Sequence, residues 1–188
     1  MFTRIRKHVA GPGLYEDEIL DVVDAHDEVV GQASHAEVHR RGLRHRSAHI
    51  LVYNPAGQLY LQQRALWKEC SPGLWDTSAA GHLGAGENYQ LGAARELVEE
   101  LGVHPPHLET LFKISAGPET GYEFVTVFKT FTSEEIRPDP HEINAGRWCE
   151  PAEVEAWIGR EPHTLTGTFR LLWSKLKTVR EAYRPRNK

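Results

Sequence analysis

Apolar and polar residues alternate in short runs along most of the chain, and give way to helical spacing at a few places. Ile19 to Asp24 and Val29 to Ala33 read as two strands joined by the polar turn Ala25-His26-Asp27-Glu28, a hairpin. Ser34, with Glu37 three residues on, predicts a capped short helix that Gly42 ends. Ala48 to Tyr53 and Gln58 to Arg64 flank the turn Asn54-Pro55-Ala56-Gly57 as a second pair of strands. A turn at Ser71 to Asp76 leads to a strand over Thr77 to Ala80. Helical spacing then sets in over roughly 88–101, with Leu91, Ala94, Leu97, Val98 and Leu101 as the docking face. Leu108 to Ala116, Tyr122 to Phe131 and Ile143 to Cys149 alternate as strands, the last with Trp148 directed inward. Pro151 opens a helix through Trp157, and Phe169, Leu172, Trp173, Leu176 and Val179 mark a final helix from about Thr168 to Tyr183. The fold class expected is mixed α/β (α+β), a curved sheet flanked by helices. Residues 1–17, with Gly11-Pro12-Gly13, read as a flexible leader before a single domain over 18–188.

The helix at 88–101 carries an unusual load. At 100° per residue, Glu96, Glu99 and Glu100 fall within about one quadrant of its surface. Like charges so placed repel, and a hard divalent cation with oxygen ligands relieves the conflict. The face that carries them is expected to be exposed. A glycine-rich turn, Gly81-His82-Leu83-Gly84-Ala85-Gly86-Glu87, leads into that helix.

Composition changes this picture little. The chain has 188 residues, of which 40% are hydrophobic and 26% charged, a globular balance with enough length for one substantial core. Net charge is −4 and no basic run appears, so nucleic acid is not an expected partner. No apolar run reaches the length of a membrane span, and the N-terminus lacks a signal core, which points to the cytoplasm. Cys70 and Cys149 could form at most one bridge, and reduced thiols are the expectation. The leader and the apolar last helix could serve a homodimer.

The spacing G-x5-E-x7-R-E-U-x-E-E-x-G-U, with U apolar, is met at Gly81, Glu87, Arg95, Glu96, Leu97, Glu99, Glu100, Gly102 and Val103. It resembles the Nudix box of Nudix hydrolases at every fixed position. The resemblance implies a hydrolase that uses Mg²⁺ or Mn²⁺ to cleave a diphosphate linkage by water attack at phosphorus. It implies Glu96, Glu99, Glu100 and the Gly81 carbonyl as metal ligands, and an Arg95–Glu87 pair that holds loop and helix in register. The general base is expected among Glu99, Glu123 and Glu142.

The flanks resemble isopentenyl-diphosphate isomerase and the isomerase-like Nudix hydrolases from about residue 19 to 158. Glu37-Val38-His39-Arg40-Arg41-Gly42-Leu43-Arg44-His45-Arg46, Arg64-Ala65-Leu66-Trp67-Lys68 and Pro72-Gly73-Leu74-Trp75 carry that likeness. It implies Arg64 and Lys68 as the grip on a diphosphate. The isomerase has a cysteine directly before the Gly-His pair, where this chain has Ala80, whose methyl cannot move a proton. The isomerase box also keeps only the last glutamate of the trio, whereas Glu96 and Glu99 stand here beside Glu100. Hydrolysis is therefore expected, with isomerisation as the alternative and a non-catalytic nucleotide-sensing module as a third reading. His45 and His82 match isomerase metal ligands and His39 matches a third approximately; Glu123 matches one glutamate ligand, with Gly121 where the other belongs. Either a packed cluster or a second metal site would follow, with His49 nearby in sequence. The substrate expected is a small diphosphate, and its identity is not encoded in the box.

Overall fold

The computed structural model describes residues 18–104 and 107–182, with side chains described through Val179. The leader at 1–17, Pro105-Pro106 and Tyr183 lie outside the described residues. The chain runs β1 (Ile19–Val23), β2 (Val29–Ser34), α1 (His35–Arg41), β3 (His45–Tyr53), β4 (Leu59–Arg64), β5 (Trp75–Asp76) and β6 (Ala79–His82). It continues α2 (Tyr89–Leu101), β7 (Glu109–Ile114), β8 (Glu123–Phe131), β9 (Ile143–Cys149), α3 (Pro151–Arg160) and α4 (Gly167–Ala182).

β3 is the axis of the main sheet. Along the path β5-β4-β3-β8-β7 it pairs parallel with β8 and antiparallel with β4, while β6 joins β3 and β9 joins β4. Both faces of this sheet are covered, and at its centre β3 is buried along almost its whole length. Ala48, Ile50, Val52, Tyr60 and Phe128 pack on one side with Ala93, Leu97 and Leu101 of α2. Leu51, Tyr53, Leu59, Leu61, Val125 and Val127 pack on the other with Trp157 of α3 and Phe169, Leu172, Trp173 and Leu176 of α4. The apolar face of α4 is thus buried within this chain. β1 and β2 form a separate two-stranded sheet.

Several boundaries differ from those read off the sequence. β3 begins at His45, three residues early, because pairing with β8 carries His45 opposite Glu123. The short strand expected at Thr77 to Ala80 lies instead at Ala79–His82, so Gly81 and His82 are ladder residues. Ser34 caps α1 by accepting from Glu37 N at 3.3 Å, but the Glu37 carboxylate turns to Arg41, leaving half of the capping box. Trp148 is half-buried, edge-on to Tyr60 at 5.2 Å, and Cys149 is the β9 residue sealed in the opposite face. In α2, Leu91 is 61% exposed; Ala93 packs with the sheet instead, and Gly92 meets Leu83 of the preceding turn.

Candidate active site

α2 is fixed at both ends by its own sequence. The Asn88 side chain accepts from Leu91 N at 2.9 Å, and Gly102, at φ 67°, ends the helix in the left-handed conformation. Between these caps the acidic face turns partly inward, contrary to the exposed face expected. Glu100 is only 5% exposed, and its Oε2 accepts from Gln62 Nε2 at 2.9 Å and Ala80 N at 3.1 Å. Those bonded partners are neutral donors. Glu96 lies against the backbone of Gly81, where a Cβ would stand 2.1 Å from its carboxyl carbon. Only glycine permits that approach. Glu99 is the outermost of the three, its side chain 40% exposed.

Electrostatics mark Glu96 and Glu100 as a strained pair. Burial raises the pKa of each well above the carboxylate range. The Glu96 charge raises Glu100 further, and Glu99 raises Glu96 against the pull of Arg95. A buried and a half-buried carboxylate that both resist ionisation suit a hard divalent cation, whose charge would bring both back to the ionised form. Glu96, Glu99 and Glu100 bring their carboxylates to this place on α2, with Gly81 of β6 beside Glu96.

Arg95 organises the rest. Its fork holds Glu87 through Nε at 3.0 Å and Nη2 at 2.8 Å, and Nη2 also reaches the His82 carbonyl at 2.9 Å. Nη1 meets Glu96 at 2.7 Å and Glu99 at 3.0 Å. Glu87 in turn accepts from Gly84 N at 3.1 Å. Beside Glu100, Lys68 pairs with Glu142, and both charges act on the Glu100 carboxyl. Main-chain bonds from Asp139 N to Glu100 O and from Ala65 N to Glu142 O close these loops over the helix end. Arg64 is turned to the Cys70 carbonyl at 3.0 Å and to Asp76 at 3.8 Å. Gln62, which escaped the sequence reading, is a β4 residue distinguished by no motif. Glu18 escaped it too; burial raises its carboxyl, with His82 and Arg95 opposing and Glu87 and Glu99 reinforcing.

A second cluster adjoins the first through His82. The rings of His39 and His82 each lie 4.4–5.0 Å, centroid to centroid, from those of His35 and His45, and 5.0 Å from each other. Glu123, on β8, stands 3.5 Å from His82 Nε2 and 3.9 Å from His45 Nε2, and is thus gathered with the histidines. Burial works against its ionisation, but contact with His82 and the charges of His82 and His45 hold it well below the carboxylate range. His45 Nδ1 donates to the Leu43 carbonyl at 2.9 Å, which leaves Nε2 as the bare acceptor nitrogen. The Nε2 atoms of His45 and His39 are buried without a hydrogen-bond partner. Burial, then the charge of His82, pushes His45 down to about 4, and burial with the His82 and His39 charges takes His35 to about 3. His49 stands apart, bonded to Thr77 Oγ1 at 2.9 Å. His35 was missed, although four-residue spacing to His39 on a helix puts both on one face.

The NUDIX domain model matches residues 43–166, which include β3 to β9, the carboxylate helix and Arg64, Lys68 and Glu142. The chain belongs to the Nudix family. An uncharacterized Nudix hydrolase of Streptomyces coelicolor is 35% identical over 145 residues, 76% of this chain and 80% of the relative. Isopentenyl-diphosphate Delta-isomerase 2 of Photorhabdus laumondii is 34% identical over 162 residues, 82% of this chain and 89% of the relative. Among solved structures, DR0079 from Deinococcus radiodurans superposes with a TM-score of 0.72 at 29% identity, covering 89% of this chain and all of that one. Both of the branches that the flanks resemble are therefore represented at like identity. Family membership supports a diphosphate-cleaving hydrolase of the Nudix class, a class that generally works with divalent metals such as Mg²⁺ or Mn²⁺.

Proposed function

We propose that this Nudix protein is a metal-dependent hydrolase of a small diphosphate, a nucleoside diphosphate linked to another moiety or a related organic diphosphate. The observation that carries this reading is the pairing of buried Glu100 with half-buried Glu96, which resist ionisation, the Gly81 backbone being laid against Glu96. A bound Mg²⁺ or Mn²⁺ would neutralise the phosphoryl oxygens and make water a better nucleophile there. The protein's own residues do the remainder. Glu96, Glu99 and Glu100 would hold the cation, Arg95 and Glu87 keep them in register, and Lys68 and Arg64 would bind the diphosphate. Water oxygen bonds to phosphorus as the bridging P–O bond breaks. The water proton passes to a carboxylate, and the leaving phosphate carries away the bond's electron pair.

Of the three base candidates, Glu142 is favoured by its place beside Lys68 and Glu100. Glu99 is assigned to the metal and Glu123 is held by the histidines, whereas Lys68, the partner of Glu142, would turn to the diphosphate. The protein is read as cytoplasmic, which its two unpaired cysteines support. A phosphate-release panel of diphosphates with Mg²⁺ and Mn²⁺ tests the reading. Glu100→Gln should lower turnover more than ~100-fold, since loss of a ligand outweighs loss of a ligand's support. Wild-type turnover in saturating EDTA would end the metal reading, and measurable nucleotide binding without any release would favour a sensing module.

The histidine cluster favours one second reading. His45, His82 and Glu123, and likewise His35, His39 and His82, each bring three ligand atoms within 4.8 Å of one another. With two bare buried Nε2 atoms, the group suits an ion that accepts nitrogen, zinc or manganese. Titration of wild type against His45→Ala decides; equal stoichiometry would retire the second ion. Isomerisation itself is disfavoured by Ala80, and formation of dimethylallyl diphosphate from isopentenyl diphosphate would reverse that judgement.

A further inference from the structure

The β1–β2 hairpin lies outside the matched domain at 43–166, yet it is bonded directly to the loop that opens the carboxylate helix. Leu20 bridges antiparallel to Gly84, and Ala85 N donates to the Ile19 carbonyl at 2.8 Å. Asp21, only 5% exposed, spans the junction. Its Oδ2 accepts from Gly86 N at 2.8 Å and its Oδ1 from Gln32 Nε2 at 3.0 Å. Gly86 sits at φ 76°, a left-handed conformation that glycine adopts without strain. A second carboxylate, Asp27, pins the hairpin turn to the same helix and sheet. It accepts from Arg46 Nε at 2.7 Å, from Tyr89 Oη at 2.9 Å and from Lys113.

We propose that this hairpin is a working part of the divalent-metal site, with Asp21 as its positioning residue. The route is continuous. Asp21 holds Gly86, the Gly84–Gly86 turn presents Gly84 N to Glu87, Glu87 sets the Arg95 fork, and that fork orients Glu96 and Glu99. Asp21 touches neither metal nor substrate and acts through the loop alone. This inference rests on the reading of Glu96, Glu99 and Glu100 as a metal site.

The test is Mn²⁺ binding, read by electron paramagnetic resonance as the equivalents that Glu100→Gln abolishes, so that any ion at the histidines is left out of the count. Asp21→Ala should raise the Mn²⁺ dissociation constant about tenfold or more, as loss of a ligand's supporting partner does. Asp21→Asn should restore most of the affinity, because its amide oxygen still accepts from Gly86 N while Gln32 can turn its own amide oxygen toward the new NH2. Val30→Ala, on the exposed part of the hairpin, should stay within about twofold. A wild-type constant for Asp21→Ala overturns the proposal. So does an equal loss in Asp21→Ala and Asp21→Asn, which lacks the rescue that an acceptor role demands. If Glu100→Gln abolishes no equivalents, the metal reading itself fails and not the hairpin's part in it.

Should Asp21→Ala not fold, amide exchange in the wild type decides the matter. Support between two sites is reciprocal, so Mn²⁺ should slow exchange at Ala85, Gly86 and the β1–β2 amides together. Unchanged hairpin exchange on Mn²⁺ binding would overturn the proposal.

Discussion

At the scale of single residues, the site is decided by what lacks a side chain as much as by what carries a charge. A methyl at Gly81 would fall 2.1 Å from the Glu96 carboxyl carbon and 2.2 Å from its Oε1. Glu96 cannot retreat freely, because Arg95 holds it at 2.7 Å. Gly81→Ala should therefore push Glu96 off its position and weaken Mn²⁺ binding by at least about 10- to 100-fold. Circular dichroism should show the fold retained. Gly31→Ala is the control, since nothing lies within 4 Å of its Cβ position, and it should bind Mn²⁺ as wild type does. Equal affinities across the two variants would mean that Glu96 is not a ligand. The glycine was legible in the sequence as a motif position. That its work is to admit Glu96, rather than to turn the chain, follows from the ladder pairing of Ala48 with Gly81.

At the scale of elements, helices were more legible than strand ends, for a physical reason. A helix announces its limits locally: Asn88 and Gly102 bound α2 through bonds made within its own terminal turns. Asn88→Ala should destabilise the protein by about 1 kcal/mol, and Gly102→Ala, forced to φ 67°, by about 1–2 kcal/mol. The caps share no partner, so the double variant should show the sum within about 0.5 kcal/mol in denaturant titrations. A shortfall beyond that would mean the helix ends fray together. Strand ends depend on distant partners instead. The starts of β3 at His45 and β6 at Ala79 come from pairing with β8 and with each other, and no local signal records either. The inward turn of Glu100 is likewise a tertiary fact, set by Gln62 on β4. His35 belongs to the opposite case, a residue whose helical spacing to His39 was open to view.

At the scale of the whole molecule, two sets of groups, one shifted down and one shifted up, make stability depend on pH in opposite senses. His35, His39, His45 and His49 are all driven below the ordinary histidine value of 6.5, chiefly by burial. Below that value the unfolded chain binds more protons than the folded one, so their contribution rises with pH and is complete by about 6.5. Glu96 and Glu100 are driven upward by burial and by neighbouring carboxylates, to about the neutral range. Above the ordinary value of 4.5 the folded state then holds protons that the unfolded state has lost, so their contribution falls as pH rises. His82, raised by Glu123 in spite of burial, acts in the same direction above 6.5. Metal-free protein should accordingly lose thermal stability between about pH 6.5 and 8, where Glu96, Glu100 and His82 release protons that the unfolded chain has already lost. Saturating Mg²⁺ should remove most of that decline, because a cation bound to Glu96 and Glu100 favours their ionised form and stabilises only the folded state. Calorimetric Tm values across this range, with EDTA and with Mg²⁺, provide the measurement. A Tm that is flat in EDTA would show that the buried glutamates ionise freely, and would remove the electrostatic demand on which the metal assignment stands.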